Sequence, residues 1–217
     1  METIYFIPGL AFDETVAEPL VDEGLSINTI NWIEPIPDES IQSYAVRMAN
    51  LLPKDTEITL MGHSFGGVLV QEISRLIKVK QLILISTCKS KAESSLTLKL
   101  LAPLRLNTVI TKDLILKSFP LWANSYGYAL EDEKQVFISM IKKNTDTYLS
   151  WALRTISQWE SDYTIEVPMI HIHGNKDRTF PISNIKNVDY VIDGGNHFMV
   201  YSKAREIAAI LKKYLSD

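Results

Sequence analysis

The sequence predicts an α/β protein built on a mostly parallel sheet and interrupted once by a long helical segment. Short apolar runs ended by turn residues alternate with longer segments whose apolar residues recur at helical spacing, the rhythm of βα units. That rhythm stops at Cys88 and returns only after Glu160. With 46% hydrophobic and 22% charged residues over 217 positions, the chain can bury a full core as one domain carrying an insertion.

Thr3–Ile7 is the first strand candidate, stopped by Pro8-Gly9, and Leu25–Asn31 is a weaker second. Ser40 opens a helix in which Ile41, Ala45, Met48, Ala49 and Leu52 fall on one side and Pro53 ends the run. Glu57–Met61 reads as a strand. Gly66–Ile77 follows as a helix with Val70, Ile73 and Ile77 on its apolar side, and Gln81–Ser86 is the next strand. Residues 88–160 then show no strand pattern and gather Phe119, Trp122, Tyr126, Tyr128, Phe137, Tyr148, Trp151 and Trp159. Strands resume at Met169–His173 and Tyr190–Ile192, and Ser202–Leu215 closes the chain as a helix. The expected organisation is core over 1–87, helical insertion over 88–160, and core again over 161–217.

A formal net charge of −4 argues against a nucleic-acid partner, whose phosphates the average surface would repel. The single cysteine, Cys88, excludes an internal disulfide framework and suits a reducing compartment. The first residues lack a basic segment followed by a long apolar run, and no apolar stretch reaches the roughly 18 residues of a membrane span. A cytoplasmic, soluble protein is expected.

The chemistry concentrates in three segments. Gly62-His63-Ser64-Phe65-Gly66 matches G-x-S-x-G and is followed by Gly67. It lies between a strand and a helix, where a sharp turn holds a serine hydroxyl above the sheet and glycines let strand and helix approach. Ser64 is therefore the candidate nucleophile, with Gly62, Gly66 and Gly67 as the glycines of its turn. A serine hydroxyl needs a base, and the histidines are His63, His171, His173 and His197. His63 sits inside the turn and should point elsewhere. His171 and His173 share one face of a buried strand without other metal-ligating residues at suitable spacing, so both are read as structural and no metal is expected. His197, in the loop Asp193-Gly194-Gly195-Asn196-His197 after the last strand, is the candidate base. Asp177, four residues beyond the strand end at His173 and before His197 in the order Ser…Asp…His, is the candidate orienting acid. Asp193 is better suited to shaping the loop, and Asp162 and Asp189 have no strand directly before them.

The segments GHSFGG, HGNKDRTFP and GGNHFMV resemble those of the α/β-hydrolase family in order and spacing, over nearly the whole chain. The resemblance implies a three-layer α/β-hydrolase fold whose helical insertion is the cap. It also implies a sheet of about six strands, because the chain starts almost directly at the family's third strand. The second oxyanion donor should come from the loop after the first strand. Family members often read His-Gly there, whereas this chain has Pro8-Gly9. The position carried over is the main-chain N–H of Leu10, alongside that of Phe65 after the nucleophile; each such donor contributes roughly 3 kcal/mol in the transition state.

The expected activity is carboxylic-ester hydrolysis through an acyl-enzyme on Ser64, without metal or organic cofactor and on a small-molecule acyl substrate. Because His197 must be neutral to accept a proton, activity should fall on the acid side. Phe12, Phe119, Trp122, Trp151 and Phe198 are candidate substrate contacts, since an aromatic lid would bury an apolar acyl or alcohol group. Lys89, Lys91, Lys99, Arg105, Lys112 and Lys117, against Glu93 and Asp113, could meet a carboxylate, a CoA thioester or an acyl-carrier protein, but read first as a solvated helix face. Thioester hydrolysis, C–C bond hydrolysis and cyanohydrin cleavage use the same three residues and stay open. Dehalogenase and epoxide-hydrolase chemistry uses a carboxylate nucleophile, which Ser64 argues against. A ligand-binding module keeping the three residues without catalysis is the alternative from another class.

Overall fold

The computed structural model describes residues 2–94, 111–161 and 164–216. Six strands form one sheet, all pairs parallel: β1 Ile4–Ile7, β2 Ile27–Thr29, β3 Ile58–His63, β4 Val79–Ile85, β5 Met169–Gly174 and β6 Tyr190–Ile192, in the order β2-β1-β3-β4-β5-β6. The connections leave β1 and β3 toward opposite edges. A crevice therefore opens beyond their carboxyl ends, the place where open α/β sheets bind ligands.

The central strands are mostly apolar and largely buried because helices cover both faces. Every residue of β3 is buried. On one face, α2 (Ile41–Ala49) packs on α3 (Phe65–Ile73); on the other, α1 (Glu18–Asp22) meets the long C-terminal helix. Ser40 caps α2 by accepting from the Ser43 N–H at 3.1 Å. Between β4 and β5 the described residues hold only helical elements, chiefly α4 Lys112–Trp122, α5 Glu131–Lys143 and α6 Asp146–Gln158. Side chains fasten them to the core. Trp151 Nε1 donates to the Glu39 carbonyl at 2.8 Å and Trp159 Nε1 to the buried Glu72 carboxylate at 2.7 Å. Asn144 Nδ2 donates to the Ala11 carbonyl at 3.0 Å and Asn196 Nδ2 to the Gly127 carbonyl at 2.9 Å. No helix among the described residues is long and apolar enough to cross a membrane.

Several boundaries differ from the sequence reading. β3 continues through Gly62 and His63 because both still pair with β4, opposite Leu84 and Ile85. α3 ends at Ile73 rather than Ile77. The closing helix is two: α7 Met199–Ser202 and α8 Ala204–Tyr214, with the break at Lys203. The turn of 3-10 helix at Glu14–Ala17 and the short α1 that follows have no counterpart in the sequence reading; Pro19 sits in the first turn of α1, where proline is tolerated.

Candidate active site

Ser64 takes φ 53° and ψ −121°, a backbone conformation that costs a non-glycine residue about 1–3 kcal/mol. The turn persists because its neighbours over-determine it. The Ser64 N–H donates to the Ile85 carbonyl at 3.0 Å, and the Thr87 hydroxyl donates to the Ser64 carbonyl at 2.7 Å. The flanking glycines are fixed by space. A Cβ at Gly66 would lie 2.2 Å from the Ile7 carbonyl oxygen, one at Gly62 would lie 2.5 Å from that of Gly66, and one at Gly67 would press into Thr87 at 2.6 Å. Strand β1, strand β3 and helix α3 touch here through main chain alone.

His197 Nε2 lies 2.8 Å from Ser64 Oγ, and His197 Nδ1 lies 2.9 Å from Asp177 Oδ2. Asp177 follows β5 in a turn where its Oδ1 accepts from the N–H groups of Thr179 (2.8 Å) and Phe180 (2.9 Å). Burial pushes the Asp177 carboxyl up, but the adjacent His197 and the hydrogen bonds it receives hold it below its ordinary value. The rival acids lie elsewhere. Asp193 accepts from Asn175 Nδ2 at 2.7 Å and shapes the loop, Asp189 accepts from the His171 N–H at 2.7 Å, and Asp162 falls outside the described residues.

The loop after β1 turns tightly, with the Phe12 N–H donating to the Gly9 carbonyl at 3.0 Å across Leu10 and Ala11. Phe65 is the first residue of α3, so its N–H has no intrahelical acceptor. A cavity of about 590 Å³ opens onto Ser64 and His197, and Leu10 and Thr179 also line it. Phe12 and Trp122 line it, joined by Tyr126, Tyr128 and Phe137, which sequence reasoning did not single out as contacts. Phe119, Trp151 and Phe198 do not reach it. Phe119 stacks behind on Phe137 at 4.5 Å, Trp151 packs on Tyr44 at 4.2 Å, and Phe198 is buried against Phe12, Tyr128 and Tyr201. No charged residue among the described ones lines the cavity.

His63 points away from the Ser64 hydroxyl, yet it belongs to the site. Its Nε2 donates to the His197 carbonyl at 2.9 Å and its ring stacks on Phe12. Burial, reinforced by His197, pushes it down to about 3 and keeps the ring neutral. Lys89 is not on a solvated face: its side chain turns inward to His171 Nδ1 at 2.9 Å. Lys91 pairs with Glu160, Lys112 donates to the carbonyls of Lys142 and Asn144 at the end of α5, and Lys117 is exposed; Lys99 and Arg105 lie outside the described residues.

No family model and no curated protein matches the sequence. Among solved structures the chain is similar to MenH from S. aureus (TM-score 0.79, 19% identity, 99% of this chain and 93% of that one). It is similar to an epoxide hydrolase from Bacillus megaterium (0.72, 13%, 100% and 94%). It is also similar to YbtT, a type II thioesterase from the yersiniabactin biosynthetic pathway (0.68, 17%, 98% and 92%).

Proposed function

The chain has the α/β-hydrolase fold, and on that premise we propose that it hydrolyses carboxylic esters through an acyl-enzyme on Ser64. His197 is the general base and Asp177 the acid that orients it. The observation that carries the reading is the unbroken line Ser64 Oγ–His197 Nε2 at 2.8 Å and His197 Nδ1–Asp177 Oδ2 at 2.9 Å. Asp177 holds the ring proton on Nδ1, so Nε2 is bare and faces the hydroxyl.

As Ser64 Oγ attacks the ester carbonyl, its proton passes to His197 Nε2, and the carbonyl oxygen gains negative charge. The N–H groups of Leu10 and Phe65 are assigned to that oxyanion, the second at the positive end of α3. Collapse of the intermediate expels the alcohol, which takes the proton from His197. Water then repeats the sequence: it loses a proton to His197, attacks the acyl carbon and releases the acid, and Ser64 recovers its hydrogen.

Residues 88–160 serve as the cap. The described lining of the cavity carries no charged side chain and is largely apolar, which favours esters whose enclosed group is neutral, because a buried carboxylate without a partner is costly. The same feature disfavours substrates that bring phosphate groups into the cavity. A panel of p-nitrophenyl esters from acetate to decanoate, with acyl thioesters and an ω-carboxylated ester alongside, tests this. Neutral oxoesters should be turned over fastest and Ser64→Ala should abolish turnover. Activity surviving Ser64→Ala, or a preference for thioesters, rejects the reading.

A further inference from the structure

The Lys89 ammonium has three donors and no acceptor, and all three are engaged. They go to His171 Nδ1 at 2.9 Å, to the Lys186 carbonyl, and to the Asn187 carbonyl at 3.4 Å. A partner that can only donate dictates the tautomer it meets. His171 Nδ1 is therefore the bare nitrogen, and the ring proton sits on Nε2. His171 Nε2 lies 3.3 Å from His173 Nδ1, which must then accept, placing the proton of His173 on its own Nε2. That nitrogen is 2.8 Å from the Phe180 carbonyl and 3.7 Å from Asp177 Oδ2. The carbonyl can only accept, so the two ends of the chain demand the same proton pattern. Phe180 in turn gives its N–H to Asp177 Oδ1 at 2.9 Å. Both imidazoles are fully buried, and burial, with Lys89 nearby, keeps them neutral.

We propose that Lys89, His171 and His173 are positioning residues for the catalytic acid: a one-way chain of donors, fixed by the lysine at one end and the Phe180 carbonyl at the other, that locks the 177–180 turn next to His197. The role of the acid rests on the esterase reading above; the donor chain itself does not. Without the ammonium the opposite pattern becomes accessible. His171 Nδ1–H would turn to the carbonyls of Lys186 and Asn187, and His173 Nδ1–H would turn to His171 Nε2. The bare His173 Nε2 would then face the Phe180 carbonyl oxygen and the Asp177 carboxylate, lone pair against lone pair. The turn could relieve that repulsion only by moving, and Asp177 would move with it.

Long-range proton–nitrogen correlation spectra of the ¹⁵N-labelled protein near neutral pH test this, with Lys89→Met and Lys89→Arg alongside. The native protein should show both His171 and His173 as Nε2–H tautomers. Lys89→Met should populate the Nδ1–H form of each and lower kcat on a p-nitrophenyl ester about tenfold or more through misplacement of the base. KM should stay nearly constant, since none of the three residues lines the cavity. Lys89→Arg, which keeps donors at the position, should recover most of the lost kcat. An Nδ1–H tautomer at either histidine of the native protein overturns the proposal, and so does a Lys89→Met protein with native tautomers and native kcat. If Lys89→Met does not fold, the native spectrum still decides. Native tautomers as expected, in a protein that turns over no ester and whose Ser64 resists a fluorophosphonate, would reject the esterase reading and leave the donor chain standing.

Discussion

Acidification should unfold this protein early, through imidazoles that the fold keeps neutral. His63 and His171 are fully buried. Burial first, then His197 beside His63 and Lys89 beside His171, pushes them down to about 3 and about 2. In the unfolded chain each titrates near its ordinary value of about 6.5. Between those limits the unfolded state binds one more proton per histidine, so stability is fully present above about pH 6.5 and declines as pH falls, by about 1.4 kcal/mol per unit for each ring. From about pH 7.5 to 5.0 the loss integrates to about 2 kcal/mol per histidine, or about 4 kcal/mol for the pair. His173 is shifted in the same direction and adds to it. Asp177, held low, loses its contribution only as pH falls from the ordinary carboxylate value of about 4 toward its own depressed one, outside this window. A domain is stable by only about 5–15 kcal/mol, so the effect is large. Urea unfolding at the two pH values and equal ionic strength measures it. With an m of about 2 kcal/mol/M, the midpoint should drop by about 2 M. A midpoint unchanged between the two would refute the claim that these rings are buried and neutral.

Three further outcomes are expected. Gly66→Ala must separate β1 from α3, since its Cβ would lie 2.2 Å from the Ile7 carbonyl oxygen; we expect a loss of about 3 kcal/mol, read as a fall of about 6–12 °C in a thermal melt. Trp159→Phe leaves the buried Glu72 carboxylate without its 2.7 Å donor and should cost about 1.5–3 kcal/mol by urea unfolding. Asp177→Asn keeps the shape of the acid but favours the wrong imidazole tautomer, so kcat on a p-nitrophenyl ester should fall about ten-thousandfold; a loss below tenfold would mean that another group orients His197.

What the sequence made legible was local. Ser64, Asp177 and His197 each sit in a short segment whose turn residues and neighbouring strand announce the position, and chain order does the rest. The central strands are readable too, because a strand buried on both faces is rich in apolar residues; the edge strand β2, only half-buried, gives the weaker signal. Side-chain direction was not. Trp151 and Phe119 look like cavity contacts from sequence because they are aromatic, but the face of the helix decides. On α6 the cavity receives Leu153 and Ile156, while Tyr148, Trp151 and Ala152 are buried elsewhere. Lys89 lies in a run of cations that reads as solvated, and only the meeting of the loop after β4 with β5 turns it inward. His63 lies inside the turn and gives no local sign of a role; that it braces the main chain of His197 depends on two segments 134 residues apart in sequence.

The most direct test of the central claim is labelling by a fluorophosphonate probe, followed by peptide mapping. One adduct is expected, on Ser64, and its formation should vanish in His197→Ala. An intact protein that reacts at another residue, or a Ser64 that reacts equally fast without His197, would contradict it.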